Sequence, residues 1–193
     1  MIDVSRLQAL GIRNLRSVFG RGVRGETLAR GCHMGNTVEF LYDAGVRTII
    51  DLRTADYNEK LTIRCQKLKL KCYHIPIDAK NVSPDDIRAN LQLLFTLLDG
   101  DGFYISCQQG LHRTDIAIPL YYFFHTESEV PEMFGHRTKG FFRCDDIMRR
   151  INIMRPFFPG ICDDVFAERR KRFLDMNRDF PAVQNNECTL TDV

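Results

Sequence analysis

Apolar and polar positions change period repeatedly along this chain. Residues 46–52 (VRTIIDL) are compact and β-branched, the pattern of a strand covered on both faces. Residues 102–106 (GFYIS) are short, apolar and aromatic, and predict a central strand. Two further strands are expected at 26–30 and 72–77, the second near a sheet edge or strand end because it contains Pro76. Helical segments alternate with these. Residues 36–44 predict a helix with Asn36 or Thr37 as cap and Gly45 just past its end. Residues 54–70 predict a charged helix. Ser83-Pro84-Asp85-Asp86 combines a cap, a proline at the first helical position and acids in the first turn. Ile87, Leu91, Leu94, Phe95 and Leu98 then recur at helical spacing until Gly100. A helix starting at Arg113 carries Pro119, which perturbs it. A surface loop over 126–140 and helices at 143–154 and 161–177 complete the series. Strands alternating with helices predict an α/β fold with a mostly parallel central sheet and helices on both faces. One domain is expected over 1–180, with a polar tail over 181–193.

Composition narrows the class. The chain has 193 residues, 44% of them hydrophobic, enough for one core. Its 27% charged residues and 13 glycines are ordinary globular usage, which excludes disordered, collagen-like and coiled-coil chains. Lys and Arg total 27 against 25 acids, so no global field announces a nucleic-acid or membrane partner. The longest apolar run, 116–124, falls far short of the roughly 20 residues that span a bilayer. The N-terminus has no apolar stretch of secretory length, so a cytoplasmic chain is expected; a monomer is expected as well. Seven cysteines contain no C-x-x-C pair, and a zinc site has no local support. Without a secretory signal a disulfide framework is not expected either, and most cysteines read as small buried hydrophobes.

One segment carries chemistry: Ser106-Cys107-Gln108-Gln109-Gly110-Leu111-His112-Arg113-Thr114. A strand ends at Cys107 and a helix starts near Arg113. Successive backbone N–H groups of Gln108, Gln109, Gly110, Leu111, His112 and Arg113 in such a tight loop converge on one point, where the helix N-terminus adds partial positive charge. Gly110 admits backbone conformations closed to other residues. Arg113 offers a planar fork to two phosphate oxygens. The same field favours the Cys107 thiolate, the nucleophilic form. A thiolate beneath a bound phosphate is set for covalent phosphoryl transfer: sulfur attacks phosphorus in line, a phosphocysteine forms and water hydrolyses it. The Thr114 hydroxyl can bond the sulfur and help it leave. No metal or cofactor is called for.

The segment resembles the C-x5-R signature of cysteine-dependent protein tyrosine phosphatases, particularly the dual-specificity and atypical, tyrosine-phosphatase-like members. Asn14-Leu15-Arg16, Leu28-Ala29-Arg30-Gly31, VRTIIDLR (46–53) and HIPID (74–78) extend the likeness over about residues 10–126. It implies a dual-specificity-phosphatase-like fold and a phosphorylated protein, inositol phosphate or nucleotide as substrate. It also implies that an acid on an upstream loop protonates the leaving oxygen. Asp78 stands at a strand's C-terminal end, 29 positions before Cys107, on the edge where ligands of parallel sheets bind. Asp85 and Asp86 are its rivals, with helix capping as their plainer role. Leu111 stands where relatives acting on inositol pyrophosphates typically have Lys, which leans away from highly anionic substrates.

Two positions depart from the family pattern. Ser106 replaces the usual His before the cysteine, and Asp115 the common Gly after Thr114. They leave open a phosphate-binding module without turnover. A rhodanese-like sulfur transferase is a third reading, opposed by the Arg-Thr ending and the acid loop. Among other candidates, Asp51 and Arg53 read as a supporting ion pair. His112 either contacts phosphate or orients the loop. Cys32, Cys65 or Cys72 is a possible disulfide partner of Cys107, with a buried structural thiol as the plainer reading. The Arg169-Arg170-Lys171-Arg172 run reads as a solvated helix face.

Overall fold

The computed structural model describes residues 1–12, 14–26, 37–53, 59–77, 84–108, 110, 113–125 and 144–176. Five strands form one sheet: β1 (Arg16–Val18), β2 (Gly22–Glu26), β3 (Thr48–Asp51), β4 (Lys71–His74) and β5 (Phe103–Cys107). Their order is β1-β2-β5-β3-β4, with β1 antiparallel to β2 and every other neighbouring pair parallel. β5 is central and buried along its whole length. That is why it reads as a continuous apolar run rather than an alternating one.

The helices cover both faces, as the alternation of elements predicts. Helices α1 (Val4–Ala9), α2 (Thr37–Asp43) and α3 (Glu59–Lys67) lie on one side. Leu7, Val38, Leu41, Leu61 and Cys65 pack there against Val23, Ile49 and Tyr104 of the strands. Helices α4 (Pro84–Asp99), α5 (Thr114–Phe124), α6 (Cys144–Met154) and α7 (Asp163–Met176) lie on the other. There Leu91, Leu94, Ile118, Phe123, Ile151 and Phe173 meet Ile50, Phe103, Ile105 and Cys107. Successive residues of β5 thus feed opposite cores, as strand geometry requires. Each such buried side chain stabilises the fold by about 1.5–3 kcal/mol. Among the described residues no helix is long and apolar enough to cross a membrane.

Several boundaries differ from the sequence reading. The strand expected at 26–30 runs instead over Gly22–Glu26, and 27–30 lie outside the described residues. GVRGE has two glycines and two charges, a poor strand by propensity; pairing along all of β5 makes it one. β1 and α1 were not predicted. α1 is short, and Asp3 caps it by accepting a hydrogen bond from the Arg6 amide at 3.0 Å. The strand expected at 72–77 ends at His74, so Pro76 follows the ladder instead of interrupting it. Pro119 sits inside α5, which continues through it to Phe124.

Candidate active site

The three inner parallel strands end at one edge. In register, Glu26 of β2 stands beside Cys107 of β5, and Asp51 of β3 beside Ser106. The Leu52 amide continues the ladder onto the Ser106 carbonyl at 2.9 Å. Cys107 is therefore carried at the end of the central strand, flanked on both sides.

The chain then turns back at once. The Gly110 amide donates to the Cys107 carbonyl at 3.3 Å, and Gly110 takes a positive φ of 67°. A Cβ there would lie 2.2 Å from the carbonyl carbon of Gly25 and 2.3 Å from its oxygen. Glycine is required twice over, by the left-handed backbone and by the approach of the loop to β2. Arg113 follows, half-buried, and its Nε donates to the Ile77 carbonyl at 3.0 Å. That bond fixes the guanidinium plane and ties the start of α5 to the segment after β4. Thr114 opens α5 and is fully buried, with its Oγ1 3.9 Å from Cys107 Sγ. Cys107 as a whole is 1% exposed. Cys107, Gly110, Arg113 and Thr114 are thus brought together, and Gln108 lies exposed beside them. Gln109, Leu111, His112 and Asp78 lie outside the described residues, as do the side chains of Asp85, Asp86 and Asp115. The structure does describe Ile77, the residue before Asp78, and its carbonyl is the one that holds Arg113.

A second layer braces the edge. Arg53 forks onto Asp51, with Nε 2.9 Å from both carboxylate oxygens and Nη2 2.5 Å from Oδ2. Both side chains are largely buried, a setting in which such a charge-assisted fork is strong. The His74 Nε2 donates to the Arg53 carbonyl at 2.7 Å. This is the supporting pair expected from VRTIIDLR. The Tyr104 hydroxyl donates to the Glu26 carbonyl, pinning the end of β2 from the opposite face of the sheet. Burial, with the nearby Glu26 charge, pushes the Tyr104 phenol well above its ordinary range. Sequence reasoning missed Tyr104, Gly25 and the Ile77 carbonyl. Tyr104 reads as a core aromatic, and a carbonyl acceptor has no side-chain signature.

Residues 24–145 match the family described as DSP-PTPase phosphatase fused to NAD+ kinase. That match spans more than half of the chain. The chain belongs to this family. Its fold agrees with the dual-specificity type. The structure of a DUF442 protein from Shewanella putrefaciens CN-32 superposes with a TM-score of 0.58 at 16% identity, covering 81% of this chain and 99% of that one. Two other solved structures are similar at lower scores. The catalytic core of the PP-IP phosphatase SIW14 from S. cerevisiae has a TM-score of 0.46 and 16% identity, over 89% of this chain and 96% of that one. P. aeruginosa TpbA in complex with pTyr has a TM-score of 0.48 and 17% identity, over 91% and 94%. No curated protein matches the sequence itself. In this phosphatase family setting, the described cysteines separate cleanly. Cys107 belongs to the core beneath α4–α7, while Cys65 and Cys72 belong to the core beneath α1–α3. The sheet stands between them, so neither Cys65 nor Cys72 is placed to pair with Cys107. Cys32 lies outside the described residues.

Proposed function

We propose that this protein is a metal-independent phosphomonoesterase that works through a phosphocysteine. Cys107 is the nucleophile. Arg113 and the loop amides of Gln108, Gln109, Gly110, Leu111 and His112 bind the phosphate. Thr114 assists departure of the sulfur, and Asp78 protonates the leaving oxygen. The observation that carries this reading is the clamp around Gly110: a cysteine at a strand end, a glycine required by its backbone conformation and by its seat on β2, and an arginine whose plane is set by a backbone carbonyl. Donors fixed in place before the substrate arrives are what stabilise equatorial charge on a transferring phosphoryl group. The Arg113–Ile77 bond supports Asp78, because it draws the residue before Asp78 to the arginine of the loop. The substrate is a phosphorylated protein or a small phosphorylated metabolite, the inositol phosphate and nucleotide classes included.

The test is hydrolysis of a generic aryl phosphate with EDTA present, in wild type and in Cys107→Ser. Turnover that survives EDTA and is abolished by the substitution is the expected result. The second reading, a phosphate-binding module, draws on Ser106, which is buried where the family pattern has His. It predicts vanadate binding without turnover on any phosphate ester screened. Persulfide formation from thiosulfate would instead mark a sulfur transferase.

A further inference from the structure

We infer that Cys65 and Cys72 form a reversible disulfide site, a redox centre separate from Cys107 that hydroperoxides oxidise. Cys65 is on α3 and Cys72 on β4, joined by a tight turn in which Lys69 has a φ of 56°. The Leu70 amide closes that turn onto the Cys65 carbonyl at 2.8 Å. Both side chains face the core beneath α1–α3: Cys65 is buried within it and Cys72 is half-buried against it. α3 packs directly against β4, and each thiol acts on the other's ionisation. Two thiols in one core, on packed neighbouring elements joined by a short turn, are placed to join.

The environment separates their roles. The neighbouring Cys65 thiol draws the Cys72 thiol below its ordinary range, with help from Arg53 and against burial and Asp51. The Cys72 thiol in turn, with burial, pushes Cys65 up. Cys72 is thus both the more acidic and the more accessible sulfur, the two properties that select the site of first oxidation. Its thiolate attacks a peroxide oxygen; an S–O bond forms, the O–O bond breaks, and hydroxide leaves and takes up a proton. Cys65 then loses its proton and attacks the Cys72 sulfenic sulfur. The S–S bond forms, the S–O bond breaks and a second water departs. Two thiols and one hydrogen peroxide give one disulfide and two waters. Nothing in this chemistry uses Cys107 or the phosphate loop. The product would staple β4, an edge strand, to the helix that covers it.

The experiment treats the full chain, wild type and Cys107→Ser, with stoichiometric hydrogen peroxide. Each is alkylated in denaturant and digested with trypsin without reductant. The expected result is one linked species joining peptides 65–67 and 72–80 in both proteins. The alkylated forms of Cys65 and Cys72 are lost together, and dithiothreitol restores both. In Cys72→Ser, Cys65 stays alkylatable throughout. Three outcomes overturn the inference: both cysteines remain alkylated while Cys107 or Cys162 oxidises, Cys72 advances to sulfinic acid with Cys65 still reduced, or Cys72 is linked to some other cysteine.

Discussion

At the scale of single residues, the loop after Cys107 is held by backbone as much as by side chains. Gly110 lies against the Gly25 peptide, and Arg113 is oriented by the Ile77 carbonyl. The two contacts fail differently. Gly110→Ala would place its Cβ inside the van der Waals radius of Gly25 while retaining a φ that disfavours any side chain. Strained backbone alone costs on the order of 1–3 kcal/mol, and relief requires the loop to leave β2. Gly110→Ala should therefore lower the urea midpoint and abolish vanadate binding together. Gly160→Ala, where a Cβ meets nothing within 4 Å, is the matched control and should leave both unchanged. A Gly110→Ala protein that binds vanadate like wild type would show that the loop does not need its seat on β2.

At the scale of elements, the end of α5 away from the loop is unusually well secured. Arg169 of α7 donates through Nη1 to the carbonyls of Tyr122 at 3.2 Å and Phe123 at 2.7 Å, in the last turn of α5. One member of the basic run expected to be a solvated face is thus a cap for a neighbouring helix. A cation on terminal carbonyls contributes about 1–2 kcal/mol when partly buried. Arg169→Ala should destabilise by that amount, against a change within about 0.5 kcal/mol for exposed Arg170→Ala. Equal denaturation midpoints for the two variants would remove the cap from the account. Beside the same helix end, Asp99 accepts from the Tyr121 hydroxyl at 2.5 Å and meets His125 Nε2 at 2.6 Å. Burial raises the Asp99 carboxyl, but these bonds and Arg21 outweigh it and hold the group below its usual range. A depressed acid contributes stability above its unfolded value, about pH 4, and loses it as pH falls through the lower folded value. Asp99→Asn should be less stable than wild type at neutral pH, with the gap closing below about pH 4. The gap will be small, because the Asp99 side chain is 47% exposed and solvent screens it. Urea midpoints that differ equally at pH 7 and pH 3 would assign the effect to shape rather than charge.

At the scale of the whole molecule, what the sequence revealed depended on where each stabilising partner sits. The 46–52 and 102–106 strands were legible because both faces of the sheet are covered, which leaves an uninterrupted apolar signal. β2 was misplaced because its stability resides in β5, whose contribution no local window of GVRGE contains. The loop was legible because Cys107, Gly110, Arg113 and Thr114 follow one another within eight positions. Its supports were not, because the Gly25 peptide reaches it from β2 and the Ile77 carbonyl from the segment after β4. The separation of Cys107 from Cys65 and Cys72 likewise required the sheet between them. The same topology gives the last prediction. The segment after β4 is tied to Arg113 through Ile77, so a proton donor at Asp78 would enter the reaction only where the leaving group needs a proton. An alkyl phosphate leaves as a strongly basic alkoxide and depends on that donor; an activated aryl phosphate leaves as a weakly basic phenolate and does not. General acids contribute roughly 10²–10⁴-fold to rate. Asp78→Asn should therefore cost about that factor in kcat on a phosphoserine-type alkyl ester and far less on a nitrophenyl phosphate. An equal loss on both esters would assign Asp78 to binding or folding instead and move the search for the acid to Asp85 and Asp86.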